Sequence, residues 1–181
     1  AIAKLVSEKR ALGDYKGAFK VFKVAFMSLL IAGLITSLAV FFNAKSIVRF
    51  LGNENAYYSL IALVPALFFV PIMSAFRGFF QGRQHMIPTA LSQIAEQFFR
   101  VFIGIILTLV LLDRGKAIAA GGASFGGSIG AVAGTVVMIA IYIKNRRSLK
   151  DEMNTTTLHK EEPVSRIIRN LLVIAVPITI G

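Results

Sequence analysis

Five polar residues interrupt an otherwise apolar stretch: Ser92, Gln93, Glu96, Gln97 and Arg100. Ser92, Glu96 and Arg100 are spaced i, i+4, i+8, and Gln93 with Gln97 lies beside them, so a helix through this stretch carries one polar stripe. Charged groups at membrane depth are costly and normally face a water-filled cavity or a partner inside a bundle. The stripe therefore has three readings. It lines a hydrophilic cavity that handles a polar cargo, with Gln93, Glu96, Gln97 and Arg100 as candidates; or it forms the wet first turns of a helix that starts in the cytoplasm; or Glu96 and Arg100 make a structural clamp.

Other chemistry is not expected. The chain has no cysteine, which removes disulfides, thiolate metal sites and cysteine nucleophiles. His85 and His159 are the only histidines and neither has a second ligand nearby in sequence. There is no phosphate-binding loop of the Walker type, no paired-carboxylate site and no nucleophile constellation, so neither an enzyme nor a cofactor is expected.

The elements that must hold the stripe follow from composition. The 181 residues are 56% hydrophobic, with a mean hydropathy of +0.72. Val24 to Phe42 gives 19 residues without a charge, Ala56 to Phe76 gives 21, and Ala117 to Ile143 gives 27. Each matches the roughly 20 residues a helix needs to cross about 30 Å of hydrocarbon. These blocks are apolar on every side, unlike the amphipathic helices of a soluble bundle. They also recur and are longer than the core of a signal peptide. The expectation is a polytopic, all-α transmembrane bundle with spans at about 25–42, 57–76, 88–112 and 117–143.

A net charge of +11 would suggest nucleic acid for a soluble protein, but in a membrane protein basic residues mark cytoplasmic connections. Fifteen of the 20 Lys and Arg residues fall in alternate connections on one side and four on the other, with Arg100 inside a span. The positive-inside rule makes the fifteen cytoplasmic, and no nucleic-acid partner is expected. Residues 1–23 then read as the end of an earlier span plus a cytoplasmic loop, residues 144–166 as a polar cytoplasmic linker, and residues 167–181 as the start of a further span. The ends of the chain read as cut from a larger protein. Ser148, Thr155, Thr156, Thr157 and Ser165 in the linker are read as solvated.

Pro88 suits a first helical turn, whereas Pro65 and Pro71 inside the second span should kink it and free carbonyls that neighbours must satisfy. Gly122, Gly126, Gly130 and Gly134 recur every four residues in the fourth span, a ridge that lets another helix approach closely. Static packing and a sliding surface for alternating access are both compatible with it. Lys45 to Leu51 reads as a short amphipathic surface helix.

The stretch FRGFFQGRQHMIPTALSQIAEQFFR, residues 76 to 100, resembles the signature of the MurJ and stage V sporulation protein B group. These are polysaccharide-biosynthesis transporters of the multidrug/oligosaccharidyl-lipid/polysaccharide exporter superfamily. The opening AIAKLVSEKRALGDYKGAFKVF is similar to the end of that family's second helix and the loop after it. The resemblance implies one lobe of a two-lobed, MATE/MurJ-like transporter: the end of its second helix, the third to sixth helices, the interlobe linker and the start of the seventh. It also implies that a lipid-linked oligosaccharide, of which lipid II is the best known, is flipped to the outer leaflet as the lobes rock around a cationic cavity. The bilayer and the remaining helices of the transporter are the implied partners. The family's first-helix arginines fall outside this sequence, so the stripe supplies the candidates here. A multidrug pump would instead need a smaller acidic cavity, and a scaffold for cell-wall synthesis would need none.

Overall fold

The computed structural model describes residues 1–154 and 163–180, the last six of them and Glu54 in backbone only. Thr155, Thr156, Thr157 and His159 lie outside the described residues. Among the described residues seven α-helices follow one another: α1 (Ile2–Ala11), α2 (Tyr15–Phe50), α3 (Tyr57–Gly82), α4 (Ile87–Leu111), α5 (Lys116–Lys144), α6 (Arg146–Asn154) and α7 (Val164–Ile180). Among the described residues there is no strand. The helices α2, α3, α4 with its terminal turn, and α5 are each long and apolar enough to cross a membrane. The fold is an all-α polytopic bundle. Large apolar side chains such as Phe42, Ile94, Leu109 and Val136 are exposed on these helices, as lipid-facing surfaces require.

Local sequence chemistry sets the helix ends. At α1 the Gly13 N–H bonds to the Arg10 carbonyl at 2.9 Å and the Asp14 N–H to the Lys9 carbonyl at 2.9 Å, with Gly13 left-handed at φ 73°. This is a Schellman stop, and glycine fits the turn without a Cβ penalty. Asp14 then opens α2: its carboxylate accepts from the Gly17 N–H at 2.8 Å. A Cβ at Gly17 would collide with that carboxylate. The same stop recurs after α2, at Gly52 with φ 67°, and after α3, where Gln84 takes the left-handed position at φ 60°.

Two departures from the sequence expectations concern these ends. The segment Lys45 to Leu51 is not a separate surface helix, because α2 runs unbroken to Phe50. At about 1.5 Å per residue, the 36 residues of α2 exceed the thickness of the hydrocarbon layer. The linker after Lys144 contains a helix, α6, and the next helix begins at Val164.

The chain forms two units. One comprises residues 1–29, 74–89 and 138–181. Its core contains Val6, Val21, Phe22, Phe76, Phe79, Phe80, Leu149 and Ile167. Here Gly82 of α3 meets α1 so closely that a Cβ would stand 2.6 Å from the Val6 Cβ.

The other unit comprises residues 30–73 and 90–137. Hydroxyls take the place of water in it: Ser37 donates to the Val64 carbonyl at 3.1 Å, Ser128 to the Ala62 carbonyl, and Thr135 to the Phe69 carbonyl at 3.4 Å. These acceptors lie within three residues of the carbonyls that Pro65 and Pro71 deprive of a helical donor, those of Ile61 and Leu67. Both prolines stay inside α3.

Candidate functional site

The helix α4 opens with Pro88 in its first turn, and its next turns put Ser92 and Glu96 on a single face. Both are buried, Ser92 at 0% exposure and Glu96 at 7%. One turn on, the Arg100 Nη2 donates to Glu96 Oε1 at 2.6 Å. The arginine side chain remains 42% exposed, while its Nε–H is buried and meets no acceptor among the described residues.

This face packs on the glycines of α5. A Cβ at Gly130 would stand 2.6 Å from the Glu96 carbonyl oxygen and 3.0 Å from the Arg100 Cβ. At Gly134 it would meet the Met73 sulfur at 2.6 Å and the Glu96 Cβ at 3.3 Å. At Gly126 it would stand 2.6 Å from the Gly104 Cα, and at Gly122 it would stand 2.9 Å from Leu111 Cδ1. Part of the polar stripe, Ser92, Glu96 and Arg100, and the glycine ridge thus belong to one helix–helix contact. Only small residues let the α4 backbone come so near.

The five stripe residues do not stay together. Ser92, Glu96 and Arg100 share the α5 contact, whereas Gln93 and Gln97 are exposed. A rotation of about 100° per residue separates neighbours in sequence, which is enough to carry the glutamines off the packed face. What the contact offers chemically is a carboxylate held by one guanidinium, whose Nε–H meets no acceptor among the described residues.

A second charged cluster escaped the sequence reading. Glu152 of α6 accepts from Arg10 Nη1 at 2.7 Å and from Arg83 Nη2 at 2.6 Å. Arg10 lies over the Tyr15 ring at 5.1 Å and Arg83 over the Phe79 ring at 5.7 Å. Burial alone would raise the Glu152 pKa, but the hydrogen bonds and charges of the two arginines outweigh it and hold the carboxyl below its ordinary value. The signal available in the sequence was Leu149 with Met153 at i, i+4, an apolar face on an otherwise charged segment.

Comparison with known proteins places these features in context. The chain is 34% identical over 168 residues to the lipid II flippase MurJ of Bacillus subtilis strain 168, covering 86% of the chain and 31% of that protein. It is 33% identical over 154 residues to stage V sporulation protein B of the same organism, covering 83% of the chain and 29% of that protein. It is 27% identical over 164 residues to the uncharacterized membrane protein YabM, again of that organism, covering 88% and 31%. The chain therefore spans about a third of the length of these relatives. No solved structure matches it significantly. With four helices among the described residues long and apolar enough to cross a membrane, and with these relatives, it is a multi-pass protein of the bacterial cell membrane. Residues 1–180 match the polysaccharide biosynthesis protein family, and the chain belongs to it.

Proposed function

We propose that the chain is one lobe of a transporter that flips a lipid-linked, lipid II-like cell-wall or polysaccharide precursor to the outer leaflet by alternating access. The observation that carries this reading is the 34% identity to a lipid II flippase over 86% of the chain. The geometry adds to it. A phosphate-bearing head group must cross a region where uncompensated charge is expensive, so fixed donors are needed at membrane depth. Arg100 is the one basic residue within the apolar part of a span, and it is half-exposed with donors to spare. In this reading Arg100 meets the cargo, Glu96 orients it, and the exposed Gln93 and Gln97 contribute neutral donors. The protein is a carrier, not an enzyme.

The test is complementation in a flippase-depleted strain by the full-length protein. Rescue of growth, with lipid-linked precursor ceasing to accumulate in the inner leaflet, is the expected result; failure of the wild-type protein to rescue contradicts the reading. Arg100→Ala should lose rescue at normal protein level, and Glu96→Ala should be milder. A purely structural pair behaves differently: each single change lowers the protein level, and the double change recovers part of it because no lone charge stays buried.

A further inference from the structure

The first turns of α2 carry two rows of side chains. Lys16, Lys20 and Lys23 are spaced i, i+4, i+7, and Phe19, Phe22 and Phe26 are spaced i, i+3, i+7, so each row runs along one face of the helix. The aromatic row continues into α3 and α5. Phe22 lies 5.4 Å from Phe76 and 5.8 Å from Tyr142, ring centre to ring centre, and Phe26 lies 5.5 Å from Phe76. Between these rings an open cleft of about 410 Å³ remains, with Lys23 in its lining. That volume falls in the range of roughly 300–1,000 Å³ typical of small-molecule sites.

The lysines carry charge beside this cleft. Among the described residues none of Lys16, Lys20 and Lys23 forms an ion pair. They also stand directly before the charge-free stretch from Val24 to Ala44, at the position where long basic side chains reach out of the apolar layer toward head groups. A soluble anion would satisfy the lysines but leave the aromatic cleft unexplained. A neutral lipid would fill the cleft but bring no counter-charge to the three lysines beside it, which have none among the described residues.

We propose that this cleft binds an anionic phospholipid of the bilayer, with an acyl chain among Phe19, Phe22, Phe26, Phe76 and Tyr142 and the phosphate on the Lys16–Lys20–Lys23 row. The rings supply a shaped apolar wall, and the lysines supply the attraction that clustered basic residues exert on acidic leaflets. The site is independent of the cargo reading above, since it uses none of the α4 residues.

The experiment uses the full-length protein in phosphatidylcholine vesicles containing a trace of phosphatidylglycerol with a photoreactive diazirine on its acyl chain. Phosphatidylcholine carrying the same group serves as the neutral probe. Labelling of α2 residues 15–27 and of the segment around Tyr142 is expected to be several-fold stronger with the glycerol head group. The triple variant K16Q/K20Q/K23Q should lose that preference while keeping its labelling by the neutral probe, and the Lys→Arg triple variant should retain it. Equal labelling by both probes, a preference that survives the glutamine variant, or no labelling of the cleft would overturn the proposal. So would displacement by millimolar inorganic phosphate, which would make this a soluble-anion site. Displacement by a lipid-linked sugar pyrophosphate at far lower concentration than phosphatidylglycerol would assign the cleft to cargo instead, and would equally overturn it.

Discussion

Glu152 shows how one side chain can fasten an element that its neighbours in sequence do not specify. Its partners stand 142 and 69 residues away, so no local spacing announces them, and the segment reads as a polar linker. The carboxyl pKa is lower with α6 packed than with α6 free, because the two arginines outweigh the cost of burial. The packed state therefore binds fewer protons, and the contribution is complete above the ordinary carboxyl range near 4.3 and fades as pH falls through the depressed value. Each partly exposed pair contributes about 1 kcal/mol or less. Hydrogen exchange of α6 in the full-length protein, corrected for intrinsic rates, should show protection that declines on acidification. Glu152→Gln should lower protection at neutral pH and flatten the profile. An unchanged profile in that variant would remove Glu152 from the docking of α6.

At the scale of elements, the four long helices were legible because unbroken apolar length is a property of the sequence itself. Which faces meet was not legible, because in lipid every side of such a helix is apolar and packing depends on shape. Gly122, Gly126, Gly130 and Gly134 mark a ridge in the sequence, but that its opposite number is α4, with Ser92, Glu96 and Arg100 against Gly130 and Gly134, emerges only from the contacts. The glycines then separate by consequence. At Gly130 an added methyl meets backbone and near-backbone atoms at 2.6 and 3.0 Å, so Gly130→Ala should cost about 1–3 kcal/mol through overpacking. At Gly127 the nearest atom is Leu63 Cδ2 at 3.6 Å, an ordinary contact. Gly127→Ala should then be neutral or gain up to about 1 kcal/mol from helix propensity. Thermal unfolding of the full-length protein in detergent reads both, and equal effects at the two positions would count against the close α4–α5 approach.

For the whole molecule, orientation is the property that charge decides. All fifteen basic residues that the sequence assigns to one side fall in the unit made of residues 1–29, 74–89 and 138–181, and the four assigned to the other side fall in the unit of residues 30–73 and 90–137 with Arg100. Spatial proximity within the fold and charge placement thus divide the residues in the same way. The charge excess has an expected consequence during insertion: short connections rich in Lys and Arg resist translocation, so the side that carries fifteen is expected to stay in the cytoplasm. Lys16 and Asn154 should then face the cytoplasm, and Asn53, in the connection between α2 and α3, should face outward. Because the sequence contains no cysteine, single cysteines can be placed at these three positions in a full-length protein freed of any others. An impermeant thiol reagent applied to intact cells should label Asn53→Cys only, and the other two should react once the membrane is opened. Labelling of Lys16→Cys or Asn154→Cys in intact cells, with Asn53→Cys silent, would invert the orientation. It would also set the Lys16–Lys20–Lys23 row against the opposite leaflet.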